Sequence, residues 1–233
     1  MGEEGGHRYL LPIGGLNMRK LLFCLFILIA WHTPADAGFL KDKVNFADLA
    51  QLSAEGLEAL KETEFEVFLA NVELARAKDV EKRVEGELER AKHTLKTKEL
   101  DLKAAKAEYE AAKANQDEGR IKKAEEAVKR AREDVESAEL RVKWKQKVVK
   151  ARSVAVKKAK LAVDLAEAKR DLARVSRLAM EKATSAKKYS MKDYQDRVRK
   201  IQEKYEAAAK KERRQIQDAE QLKAQYEKIA GHQ

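Results

Sequence analysis

Cysteine is almost missing from this 233-residue chain; the single one, Cys24, lies inside an apolar run near the N-terminus. A disulfide framework is therefore excluded, and so is any thiolate metal site. Proline is nearly as scarce, with Pro12 and Pro34 the two examples. Nothing after residue 34 can break a helix by removing a backbone N–H. Between residues 87 and 230 the only glycine is Gly119, and there is no glycine-rich phosphate loop. Beyond the N-terminal segment the histidines are His93 and His232, far apart and without a cysteine, so neither metal ligation nor a histidine-based triad has material to work with. We therefore expect no catalytic, cofactor-binding or metal-binding residues, and no enzyme.

What is present is charge and periodicity. Charged residues make up 39% of the chain and hydrophobic ones 44%, with 6% aromatic. That balance suits long solvated helices, and the regular spacing of the apolar residues argues against disorder. Carboxylates recur three or four residues from lysines and arginines, the pattern of a solvated helix face rather than of a paired-carboxylate site.

The stretch "MRKLLFCLFILIAWHTPADAG" has Arg19 and Lys20, then apolar residues from Leu21 to Trp31, then a polar segment ending Ala35-Asp36-Ala37. This three-part order predicts a signal peptide over 1–37, cleaved after Ala37, with Met18 a candidate start. The apolar run is too short for a membrane-spanning helix, which needs roughly 17 to 25 residues. No cysteine stands at the cleavage point to carry a lipid. The expected product is exported, with the bacterial periplasm as its compartment, no lipid anchor and no transmembrane helix. After a short segment, 38–47, residues 48–230 read as a single elongated helical domain.

Beyond residue 37, 47 basic residues face 37 acidic ones, so all of the net charge of +10 remains on the exported part. Residues 140–163 hold nine basic side chains and no acid, whereas 48–75 hold seven acids and one lysine. Arg141, Lys143, Lys145, Lys147, Lys150, Lys157, Lys158 and Lys160 form a candidate anion-binding patch.

Ile121, Val128, Val135, Val142, Val149, Val156 and Val163 stand in strict seven-residue step, with Ala124, Ala131, Ala138, Lys145, Arg152, Ala159 and Ala166 between them. A repeat of 3.5 residues calls for a left-handed supercoil with another helix. The preceding segment offers the partner seam: Ala70, Ala77, Val84, Ala91, Lys98, Ala105 and Ala112 alternating with Leu74, Glu81, Leu88, Leu95, Leu102 and Tyr109. "NQDEGR", residues 115–120, carries turn and cap formers, and a reversal centred on Glu118 and Gly119 places Leu102 by Val135 and Leu95 by Val142, with alanine facing alanine between. Lys145 and Arg152 fall opposite Ala91 and Val84, their stems on apolar surface and their charges reaching for water. One helix running through residue 119 and pairing with another molecule is the alternative, because an isolated glycine costs a helix only about 1 kcal/mol.

A second stripe, Val148, Ala151, Ala155, Ala162, Leu165, Leu172, Val175 and Ala179, requires a third helix. It starts at Ser190, spaced with Asp193 as in a capping box, and carries the ladder Tyr194, Val198, Ile201, Tyr205, Ala208, Glu212, Gln215, Ala219, Leu222, Tyr226, Ile229. Reversal near Ala186 sets Gln215 against Lys158, Ile229 against Trp144 and Tyr194 against Ala179. The expected fold is all-α: an elongated antiparallel coiled-coil hairpin with a third helix forming a three-helix bundle at its base, with helices near 46–114, 120–185 and 190–229. Residues 94–143 project as a two-helix arm. The aromatics at the two ends of the pattern, Phe39 to Phe68 and Tyr189 to Tyr226, read as packing residues.

The leading functional expectation is a non-enzymatic structural or interaction protein, a spacer or adaptor, with a protein partner or a second copy of itself. At a coarse level the basic, exported, cysteine-free helical chain resembles the Skp type of periplasmic holdase, which implies a chaperone for unfolded envelope proteins. It departs from that type in having no β-rich segment for an oligomerising body. A third expectation is a binder of anionic lipid or envelope polysaccharide through the basic patch, with curvature sensing as in banana-shaped three-helix domains. Nucleic acid is disfavoured for an exported chain.

Overall fold

A computed structural model describes residues 44–231. The predicted signal peptide over 1–37, with Cys24 and Met18, and also Phe39 and His232, lie outside the described residues. Within them the elements are α1 (Phe46–Leu49), α2 (Ala54–Ala59), α3 (Lys61–Ala114), α4 (Glu118–Met180), a 3-10 turn (Thr184–Lys188) and α5 (Met191–Ala230). The hairpin is α3 against α4, and α5 is the third helix. At 1.5 Å per residue the three span roughly 80, 95 and 60 Å.

The expected first helix is divided near its start. Asn45 and Ser53 both take extended backbone and accept from the N–H three residues on, Asn45 from Asp48 at 2.8 Å and Ser53 from Gly56 at 3.0 Å. Each therefore starts a short helix of its own, because a side-chain cap competes with continuation of the preceding turn. Ser190 does the same for α5, accepting from the Asp193 N–H at 3.4 Å.

The reversal between α3 and α4 lies inside the predicted turn segment but earlier than its predicted centre. Gln116 takes a left-handed φ of 54°. The Gln116 N–H donates to Lys113 and the Asp117 N–H to Ala112, the paired bonds of a Schellman end. Asp117 then caps α4 by accepting from the Arg120 N–H at 3.1 Å, so Glu118 and Gly119 belong to the first turn of α4. Moving the reversal back by about two residues slides one helix along the other by roughly one turn. Just below the arm the Lys145 Nζ meets Glu87, and within it Lys98 meets Asp134, each at 2.6 Å. The slide replaces leucine-on-valine and alanine-on-alanine layers by mixed ones, in keeping with the burial of Ala91, Ala112, Ala138 and Val142.

The predicted seams are the covered faces. In the arm, Leu95, Lys98, Leu102, Ala105, Tyr109 and Ala112 are the shielded positions of α3, at alternating steps of three and four. All eleven ladder residues of α5 are at least partly covered. Ala179 is exposed, and Tyr194 packs edge-on to Tyr189 with centroids 6.3 Å apart. Helix α4 is the middle one: α3 and α5 each pack along it, while contact between α3 and α5 is marginal. The fold is the expected all-α helical hairpin with a third helix, α5, packed along α4 at its base. Its best-packed part is the lower end of α4, where Leu178 and Val175 are the largest fully buried side chains.

Candidate interaction surfaces

The predicted basic patch is brought to one stretch of α4, but half of it is neutralised. Lys145 meets Glu87 of α3 and lies over the Trp144 ring at 4.3 Å; Lys147 meets Asp218 of α5 at 3.2 Å; Lys158 meets Glu212 of α5 at 2.6 Å. Lys143 reaches Glu139 on its own helix at 3.7 Å. The expectation that Lys145 sends its charge to water is corrected: its side chain is 15% exposed and its ammonium is held by Glu87. That bond, donated by Lys145, keeps the Glu87 carboxyl below its ordinary range. Arg152 is exposed. Arg141, Lys150, Lys157 and Lys160 are exposed as well, and no ion pair to a described residue engages them.

The polar layer expected from Lys158 with Gln215 is formed by Lys158 with Glu212, one step of the ladder away. Likewise Trp144 stacks on Tyr226, centroids 5.8 Å apart, rather than on Ile229. Both shifts have one cause. Helix α4 ends at Met180, and Lys182, at a φ of 53°, closes it with a second Schellman end. The connection to α5 is therefore compact, and the pairing moves by about one turn.

Two polar constellations at the base were not visible in the sequence. In the first, Asp171 of α4 meets Arg170 at 3.2 Å, Arg174 at 3.7 Å and Arg197 of α5 at 3.3 Å, while Glu64 of α3 closes on Arg174. One network thus ties all three helices. In the second, residues 48–53 strap the α4–α5 connection. Gln51 accepts from the Ser185 N–H at 3.3 Å, and the Glu181 carboxylate accepts from the Ser53 N–H at 2.7 Å. Asp48, 3% exposed, accepts from the Tyr189 hydroxyl and from Lys188. The Tyr189 bond is the main cause holding Asp48 below its ordinary pKa, with Lys188 adding to it. Burial, with the adjacent Asp48 charge, pushes the Tyr189 hydroxyl up to about 12. The contacts that join different elements here link partners 26 to 141 positions apart and leave no periodic trace, so no sequence signal marked them.

The packing role expected of the aromatics holds for Tyr189, Tyr194, Tyr205 and Tyr226, which are shielded, as Trp144 is too. It fails for Phe46, Phe65 and Phe68, which are 88, 55 and 41% exposed. Phe65 and Phe68 stack with centroids 6.1 Å apart beside exposed Leu69, on the edge of α3 turned away from its seam. Among the described residues no three His, Cys, Asp or Glu side chains converge as a metal site, and no helix is long and apolar enough to cross a membrane. Compared with the known protein families, with curated proteins and with solved structures, the chain matches none.

Proposed function

We propose that the protein is a non-enzymatic helical spacer or adaptor of an exported compartment, the bacterial periplasm, which holds a protein partner or a second copy of itself at a distance. One observation carries the reading: α3 and α4 continue beyond the end of α5 as a two-helix arm, so the chain puts its length into reach. Helices fixed at one end by a strapped base and free at the other suit a lever or strut. The signal-like segment supplies the compartment.

Small-angle scattering with mass determination on residues 38–233 tests it. A spacer gives a monomer or small oligomer with a maximum dimension of about 100 Å, the length of α4. It also leaves the aggregation of an unfolded outer-membrane protein unaffected at near-stoichiometric ratio. A compact symmetric oligomer that suppresses that aggregation would mean a holdase, and the spacer reading would be abandoned.

A further inference from the structure

The basic stretch of α4 does not stand alone, because α5 brings a second set of cations beside it. Lys143, Lys150 and Lys157 occupy one seven-residue row of α4, and continuing the row downward gives Asp164 and Asp171. On α5, Arg197, Lys204, Lys211 and Asp218 form a row of the same step. Two ion pairs stitch the flanks of these rows together, Asp171 to Arg197 at 3.3 Å and Lys147 to Asp218 at 3.2 Å. Lys157 and Lys211 therefore lie between the stitches on one side of the molecule, with Lys158 to Glu212 fixing the alignment at 2.6 Å. Lys150 and Lys160 flank Lys157. Arg214 flanks Lys211, where a shallow depression is lined by Ala207, Lys210, Lys211, Arg214 and Gln215.

Lys150, Lys157, Lys160, Lys211 and Arg214 are all exposed, and no ion pair to a described residue engages any of them. Asp164 is the one acid in the α4 row near them. Three acids of α5, Asp218, Glu212 and Glu227, are engaged by Lys147, Lys158 and Lys223, while Glu203 and Glu206 offset part of the α5 charge. The surplus is thus concentrated where two helices meet, and like charges held together on a folded surface repel unless an anion covers them.

We propose that this α4–α5 face binds an extended polyanion, a soluble polymer bearing phosphate groups, laid along the two helices. The rows favour a linear ligand: successive lysines of a seven-residue row stand about 10 Å apart, and Lys143 to Lys160 covers roughly 25 Å. A membrane surface is the other flat anion. Interfacial helices, however, bury apolar residues among their cations, and none of the exposed large hydrophobic side chains lies in this face. This inference is independent of the spacer reading.

The experiment is titration of residues 38–233 with long-chain inorganic polyphosphate at several salt concentrations. Binding should weaken steeply with salt, through counterion release. The double variant Lys157→Glu with Lys211→Glu should weaken it by about tenfold or more and lower the log–log salt slope by about two. Lys123→Glu with Lys129→Glu, an equal charge change on the arm, should stay within about twofold. If the first pair loses helicity by circular dichroism, Lys150→Gln with Arg214→Gln gives the same reading at smaller amplitude. Equal losses in the arm variant would reduce the effect to net charge and overturn the site. Binding to phosphatidylglycerol vesicles without binding to polyphosphate would overturn the polymer in favour of a membrane surface.

Discussion

The arm and the base share α3 and α4 but are stabilised by different means. In the arm two helices meet along a single seam, where Leu95 and Leu102 are only partly covered and the polar link across it is Lys98 to Asp134. In the base α4 is enclosed by α3, by α5 and by the strap, so Leu178 and Ala168 reach 0% exposure and charged groups are drawn inside. The difference shows how far a heptad alone carries a structure. It orients two helices, while fixing them relative to a third takes long-range polar contacts. Local opening should therefore begin at the tip, where few apolar contacts resist it.

The largest effect that tests this contrast is a cavity. Leu178→Ala should cost about 3 kcal/mol, within the range for a fully buried leucine, and lower the midpoint of denaturant unfolding. Leu102→Ala, half-covered in the arm, should cost less than about 1.5 kcal/mol, with faster amide exchange confined to residues near the tip. Equal costs would mean that the arm is as tightly packed as the base.

Next come the charges. Asp171 is 10% exposed on its side chain and faces Arg170, Arg174 and Arg197. Asp171→Asn leaves Arg197 without its anion and Arg170 and Arg174 with Glu64 alone, and should cost about 2 kcal/mol, less than for a fully buried pair because the arginines remain partly wet. Asp134→Asn, on a carboxylate 36% exposed in the arm, should stay below about 1 kcal/mol. Thermal unfolding of both variants with their parent checks the ordering, and a reversed order would remove the structural weight placed on the network.

The strap adds a dependence on pH. Asp48 has a folded pKa below its ordinary value, so the stability it contributes is present above that value and is lost as pH falls through the folded one. Tyr189 is raised from 10.0 to about 12, so its contribution is complete below pH 10 and disappears as pH rises through about 12. Near-ultraviolet circular dichroism should report release of the base at both extremes. Tyr189→Phe should remove the alkaline transition and weaken the acid one. In the arm, Lys98 is raised by its bond to Asp134, so its contribution is complete below its ordinary value and is lost as pH rises through the folded one.

The seams, the third helix and its start at Ser190 were legible because they are repeats or caps, features written within a few residues of each other. The registers were not. Matching leucine to valine across the seams centres the reversal on Glu118 and Gly119, yet both sit in the first turn of α4, and the left-handed residues at both helix ends are Gln116 and Lys182. The eight cations of the candidate patch lie on one helix, α4. The acids that neutralise Lys145, Lys147 and Lys158, and the lysine and arginine of α5 that extend the surface, depend on the register between helices, which periodicity leaves free by whole turns.

The smallest predictions probe the two reversals, which use the same Schellman end in the arm and in the base. A left-handed conformation costs a residue with a Cβ roughly 1 kcal/mol, a cost that glycine avoids. Gln116→Gly and Lys182→Gly should therefore each stabilise by up to about 1 kcal/mol, seen as a higher midpoint of thermal unfolding. Gly119→Ala supplies the opposite sign of argument: its added Cβ would meet only the Asp117 Oδ1 at 3.5 Å, an ordinary contact, and alanine is the better helix former. A gain of about 0.5 to 1 kcal/mol is expected there too. A loss at Gly119 together with no gain at Gln116 would return the reversal to Glu118 and Gly119, and with it the leucine-on-valine register of the arm.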